Sequence, residues 1–266
     1  MTRIHPTAII EPGASIDETV TIGPYCHVGP LVELASNVVL ISHVVIAGRT
    51  TIGPETRIFP FASIGHEPQD LKYSGEESRL VIGRNNTIRE NATLNPGTAG
   101  GGMLTSVGDH CLLMAGTHVA HDCRIGNNVI MVNNATLGGH VTVGDYVLIG
   151  GLSAVHQFVR IGPHAMIGGM TGVERDVIPF ALAMGDRARL SGINIIGMQR
   201  RGFDRDQIQA VRAAYQLLFS EGGTMSERVE EIAERFREDR PVMEIVEFIR
   251  DDSSRSLCQP KSGHAG

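Results

Sequence analysis

At 266 residues and a formal net charge of −6, the chain can form one large domain or two small ones, and its acidic balance argues against nucleic acid as a principal partner. Tryptophan is absent, aromatic residues make up 5% and glycine fills 32 positions, which disfavours a bulky mixed core and suits a narrow, repetitive β architecture. No basic-then-apolar leader opens the sequence and no apolar run is long enough to cross a bilayer, so a cytoplasmic protein without membrane insertion is expected.

An aliphatic residue recurs every six positions from the start: Ile4, Ile10, Ile16, Ile22, Val28, Leu34, Leu40, Ile46, Ile52, Ile58 and Ile64. The beat stops across "HEPQDLKYSGEESR" (66–79), returns at Ile82, Ile88 and Leu94, and stops again across "GTAGGGMLTS" (97–106). It then runs without a break from Val107 to Val173. Two residues before most beats stands a small or β-branched one, which points to the same face of a short strand. Cys26, Cys111 and Cys123 occupy that inward position and read as compact apolar filler, not as disulfides or metal ligands. Such six-residue units predict a parallel β-helix, in which three units close a triangular turn and residues eighteen apart stack on neighbouring rungs. The two interruptions are expected to be loops thrown outward, where a regular repeat tolerates functional insertions.

The helix is predicted to occupy 1–190. After it, Ile208, Val211, Tyr215 and Leu218 recur at helical spacing up to Glu221-Gly222-Gly223. A second helix is predicted after Ser226, carrying Val229, Ile232 and Phe236, and a third after Pro241, carrying Ile245, Val246 and Ile249. Together they predict a small α-helical C-terminal domain over 191–251 that covers the open end of the solenoid, and a disordered tail over 252–266.

Stacking at eighteen residues places His121, Gly139 and Gln157 in one corner column, with Asp122, His140 and Phe158 beside it. A histidine is the usual base near neutral pH, a carboxylate beside it orients it, and a glycine amide one rung away suits an oxyanion. That combination points to acyl transfer. A second corner stacks Asn127, Asp145 and Pro163, ordinary turn formers. A third stacks Asn133, Gly151 and Gly169, a bare groove in which a long apolar chain could lie. Corner histidines such as His5, His27, His43, His66, His110 and His164 read as solvated turn residues. The rival chemistry for the column is a zinc site of His118, His121 and His140, although His118 falls on a strand and need not converge with the other two.

The blocks "SHVVIAG", "FASIGHEPQDLKYSGE", "GTHVAHDC", "NNATLGGHV", "GGLSAVHQFVRIG" and "GINIIGMQRRGF", in this order, closely resemble the UDP-N-acetylglucosamine O-acyltransferases that begin lipid A synthesis. The resemblance implies a left-handed coil, a handedness that periodicity alone does not show, since most parallel crossovers are right-handed. It also implies a homotrimer with active sites between adjacent solenoids, in which a 3-hydroxyacyl group passes from acyl carrier protein to the 3-hydroxyl of a UDP-sugar without a cofactor or metal. His121 matches the family's general base, Asp122 its support and Gly139 the oxyanion amide. Gln69, Asp70 and Lys72 in the first loop, with His118, His140, His156 and Gln157, match substrate-contacting positions. Asn194, Arg200 and Arg201 match the nucleotide-binding patch, where arginine suits phosphate. Gly169 matches the position that limits acyl length, and glycine there favours a longer chain. Arg187 and Arg189, with Arg200 and Arg201, are candidates for meeting the acidic carrier protein.

Two positions depart from the family pattern. Asn95 stands in "LNPG" where the family has histidine, and Ile196 in "INIIG" where it has glutamate. The paired change leaves two acceptors open, the ordinary 3-hydroxyl sugar and its 3-amino analogue.

Overall fold

The computed structural model describes residues 3–251 and 253–261. Each six-residue unit forms a two-residue strand and a corner. In the unit around Ile125, Cys123 and Ile125 are buried while Arg124 between them points out, as strand alternation requires. Repeated through the coil, this builds a continuous column of Ile, Val and Leu with the three small cysteines filling gaps within it. The strands assort into three sheets whose hydrogen-bonded neighbours are successive turns of the coil, all parallel up to Ala181–Met184 in the first sheet. In the second sheet Val119 pairs with Leu137 and Leu137 with Val155, the eighteen-residue stacking expected from the repeat.

The last residue of most corners takes a left-handed backbone conformation, among them Asp122 (φ 59°), His140 (φ 61°) and Phe158 (φ 64°). This conformation costs an L-residue roughly 1–2 kcal/mol. Here it is offset by hydrogen bonds along the stack: His140 N–H donates to the His121 carbonyl at 3.0 Å and Phe158 N–H to the Gly139 carbonyl at 3.1 Å. Those bonds hold the corner side chains in ladders, so rings on adjacent rungs face each other.

Both loops leave from the same corner. Ile64 pairs with Leu94 and Leu94 with Val119, and the chain departs from the coil just after Ile64 and again just after Leu94. The residues after Val119 are Ala120, His121 and Asp122, so both insertions emerge on the rungs directly beneath the expected base.

Beyond the coil the structure holds two elements that the periodicities did not predict. Ala181–Met184 and Arg189–Ile193 form an antiparallel pair on the end of the first sheet, and Ile195–Arg200 forms a short helix, α1, capped by Asn194. The three expected helices follow as α2 (Arg205–Leu218), α3 (Met225–Arg235) and α4 (Arg240–Arg250). Capping boxes start α2 at Asp204 and α3 at Thr224, the latter two residues ahead of the Ser226 that the sequence suggested. Pro241 lies in the first turn of α4. Val211, Leu218, Ile232, Val242 and Ile245 are buried between these helices and the coil. No described helix is long and apolar enough to cross a membrane.

The expected disordered tail needs correction over its described part, 253–261. Leu257 bridges to Asp176 and Pro260 to Leu190, and Cys258 is buried. The anchor is Asp176, which is fully buried and accepts from the Arg160 N–H and Nε, both at 2.8 Å, and from Ser253 Oγ at 2.6 Å. A polar composition concealed this segment because backbone pairing and one buried carboxylate hold it, not an apolar pattern. Residues 252 and 262–266 of that tail lie outside the described residues.

Candidate active site

His121 and Asp122 are both buried, at 8% and 4% relative exposure, although they occupy a corner where most side chains meet solvent. The second loop covers them. The Thr98 N–H donates to Asp122 Oδ1 at 2.9 Å and Thr98 Oγ1 donates to Oδ2 at 2.6 Å, while Asp122 N–H donates to Thr105 Oγ1 at 2.7 Å. The backbone passes so close that a Cβ on Gly101 would lie 1.9 Å from the Asp122 carboxyl carbon, so only glycine fits there. Thr98 and Thr105 were not singled out in the sequence; the one signal for them is the placement of the interruption relative to the His121 rung.

Asp122 Oδ2 lies 2.8 Å from His121 Nδ1. Since the carboxylate can only accept, the ring proton sits on Nδ1 and the lone pair on Nε2. On the rung above, a Cβ on Gly139 would lie 2.6 Å from that Nε2, so the ring rests against a bare backbone. No hydrogen bond from the Gly139 N–H is formed among the described residues. The ordinary corner provides the contrast: there Asp109 N–H is capped by Asn127 Oδ1 at 2.8 Å and Asn127 N–H by Asp145 Oδ1 at 2.7 Å. Gly139 has no such cap and keeps a donor beside the base.

His140 meets the His121 ring edge-on at 5.0 Å and stacks on Phe158 at 4.3 Å. Burial, chiefly, lowers its pKa, with Asp122 opposing. His118 is held on its strand by Thr93 Oγ1, 2.7 Å from Nδ1, and burial followed by the nearby His121 lowers its pKa. Asp70 of the first loop approaches His121 Nε2 at 3.9 Å, while Lys72 is 89% exposed and Gln69 is exposed. Asn95 lies beneath the column, its amide nitrogen bonded to the carbonyls of His66 and Glu67 and its buried Oδ1 without a partner among the described residues. Gln157 and His156 stand exposed on the next rung. The three histidines proposed for zinc do not form the set whose ligand atoms converge: that set is His121, Asp122 and His140, within 4.8 Å of one another. Both Asp122 oxygens in it already accept from protein donors, which fits an oriented base better than a metal cage.

The remaining candidates stand on other corners. Asn133, Gly151 and Gly169 follow strands of the first sheet, as the repeat requires, and leave an uncovered backbone strip flanked by exposed Leu152 and Met170. Asn194 and Arg201 lie by the second corner, that of Asn127, Asp145 and Pro163: Asn194 Nδ2 donates to the His164 carbonyl and Arg201 Nη2 to the Tyr146 carbonyl at 2.7 Å. Arg201 Nη1 and His164 Nδ1 are buried without partners among the described residues. Arg200 is exposed, and Arg187 pairs with Glu174. One chain therefore brings together the first loop, the second loop and the His121 column, but leaves the groove and the arginine patch apart from them.

His164, stacked between Tyr146 and Phe180, has its pKa pushed down to about 4 by burial and by Arg201. Because the unfolded chain binds this proton near the ordinary histidine value of 6.5, stability is expected to fall as pH drops from about 6.5 to about 4. His164→Phe preserves the stack and removes the titration. Chemical denaturation across that range should give the variant a flatter pH dependence than the parent, and parallel curves would contradict this assignment.

Comparison with known proteins agrees with this architecture. A family model for bacterial transferase hexapeptide repeats matches residues 105–139, and one described as UDP N-acetylglucosamine O-acyltransferase, domain 2, matches 176–258. The acyl-[acyl-carrier-protein]–UDP-N-acetylglucosamine O-acyltransferase of Methylobacterium radiotolerans is 58% identical over 77% of this chain and 75% of its own. The protein of the same name from Burkholderia orbicola is 50% identical over 97% of this chain and 100% of its own. The crystal structure of the UDP-N-acetylglucosamine O-acyltransferase from Moraxella catarrhalis superposes with a TM-score of 0.93 at 40% identity, covering 96% of this chain and 98% of that one. Coil, repeat and terminal helices define a left-handed β-helix enzyme of the hexapeptide acyltransferase class. Within that class, the chain belongs to the UDP-N-acetylglucosamine O-acyltransferase family.

Proposed function

We propose that the protein transfers a 3-hydroxyacyl chain from acyl carrier protein to the glucosamine 3-hydroxyl of UDP-N-acetylglucosamine, the first step of lipid A synthesis. The observation that carries this reading is the His121–Asp122 pair with the Gly139 N–H, unpaired among the described residues, one rung away. His121 Nε2 takes the proton of the sugar hydroxyl as its oxygen attacks the thioester carbonyl. The Gly139 N–H stabilises the oxyanion of the tetrahedral intermediate. As the intermediate collapses, the carbon–sulfur bond breaks, the oxyanion returns to a carbonyl, and the imidazolium gives its proton to the departing thiolate. Asp122 holds the imidazole in the productive tautomer and stabilises its charged form in between. The sequence of steps needs neither a covalent acyl-enzyme nor a metal or redox group.

The separation of the groove and the arginine patch from the column supports a site completed by a second copy, as in a cytoplasmic homotrimer. Leu71 at the tip of the first loop, beside Asp70, is fully exposed on one chain, as expected of a residue that packs on a neighbour. In this arrangement Asn194, Arg200 and Arg201 hold the nucleotide, Gly151 and Gly169 line the acyl groove, and Gln69, Asp70, Lys72, His118, His140, His156 and Gln157 contact substrate around the base. Arg187 and Arg189 line a surface cleft with Arg175 and Glu174, three guanidiniums against one carboxylate, which leaves a net cationic face for the acidic carrier. The relatives' name, O-acyltransferase, favours the hydroxyl acceptor over the 3-amino sugar that Asn95 and Ile196 left open; Ile196 itself is exposed.

Incubation with 3-hydroxyacyl carrier protein and UDP-N-acetylglucosamine should yield the sugar nucleotide heavier by one acyl group, released again by mild alkali as an ester. An alkali-stable product formed only from the amino sugar, or no product from either, would overturn the assignment. Gly169→Leu should fill the groove and move the preferred chain length downward across a panel of acyl carriers. An unchanged preference would place the acyl chain elsewhere.

A further inference from the structure

The C-terminal segment does more than cover the coil. Pinned by Ser253 to Asp176, by Cys258 N–H to the Asp176 carbonyl at 2.7 Å and by the bridges at Leu257 and Pro260, it carries Arg255 to the His121 corner. Arg255 Nε donates to the Gln157 carbonyl at 3.1 Å, and Nη2 lies 2.9 Å from His156 Nδ1. A guanidinium has only donors, so this ring nitrogen must be the acceptor and the His156 proton must sit on Nε2. The opposite tautomer would turn Nδ1–H toward the Gln157 carbonyl at 3.3 Å, but would set two donors against each other at the shorter contact.

We infer that Arg255 is a positioning residue that holds His156 with its proton on Nε2, so that the exposed ring offers an N–H donor to an acceptor oxygen of the substrate bound along the column. His156 and Gln157 stand one rung, roughly 4.8 Å, beyond Gly138 and Gly139 along the column. Its kinetic consequence rests on the acyl-transfer reading; the tautomer does not. Arg255 was not visible as a candidate in the sequence because it lies 98 residues from the carbonyl it contacts, in a segment whose composition reads as a loose end.

The test uses the full chain labelled with 15N-histidine, the His156 signals being identified by their loss in His156→Gln. In the parent, His156 should show an unprotonated Nδ1 and a protonated Nε2. Arg255→Met should shift it toward the other tautomer or a mixture, and should lower kcat/KM about 3- to 10-fold, the worth of one weakened hydrogen bond, mainly through KM. Arg255→Lys keeps a donor and should restore both readouts. A proton on Nδ1 in the parent, or an unchanged tautomer in Arg255→Met, overturns the proposal whether or not the protein transfers acyl groups. A changed tautomer with unchanged kcat/KM overturns the substrate contact.

Discussion

His121→Ala is expected to lower kcat by about 100- to 10,000-fold, the range for loss of a positioned general base. The fold should be unaffected, because the side chain is held by Asp122 and by the covering loop rather than by the aliphatic column. Asp122 would then be left with Thr98 as its donor, and its carboxylate would keep the second loop in place. Steady-state transfer, measured beside a thermal melt of each protein, checks the pair of expectations. Transfer within about tenfold of the parent would remove His121 from the role of base, since general acid–base catalysis rarely contributes so little.

Gly139→Ala is expected to cost about 100- to 1,000-fold in kcat, comparable with loss of an oxyanion donor. Its origin is steric and can be read from the geometry. The new methyl would lie 2.5 Å from His121 Cε1 and 2.6 Å from Nε2, so the ring must move away from the place where the sugar hydroxyl is deprotonated. Gly139 is not among the residues with positive φ, so alanine meets no backbone strain and the melting temperature should change little. A variant that folds normally and turns over at the parent rate would show that the space between His121 and Gly139 is not where the chemistry happens. Retained KM with lowered kcat is the pattern expected of a group that acts in the transition state.

Much of this arrangement can be read from the beat of the repeat. Once residues eighteen apart are stacked, His121, Gly139 and Gln157 fall in line, and the observed register of Val119, Leu137 and Val155 is the one the count requires. The exits of the loops are legible by the same count when it is carried through the interruptions: Ile64 and Leu94 lie beneath Val119, so both insertions must leave beside the base. The contacts within those insertions do not follow a period. Thr98 reaches Asp122 because of the path of an irregular loop, and Asn95 is oriented by two loop carbonyls. The antiparallel pair at 181–193 and the pinned segment at 253–261 escaped for a related reason. Their order comes from pairing with the coil's last turn, and no apolar periodicity announces it. Periodicity likewise placed Gly151, Gly169 and the His121 column on separate corners, and the structure keeps them there.

In the proposed assembly the His121 column of one chain works with the arginine patch of another. Arg201→Ala and His121→Ala, each strongly impaired alone, can be mixed, unfolded and refolded together, and assayed for acyl transfer at limiting UDP-sugar. Shared sites predict recovery well above either variant alone, because some clefts then pair an intact His121 with an intact Arg201 from the neighbouring chain. Mixed oligomers, verified by mass, that show no recovery would contradict it and place the whole site within a single chain.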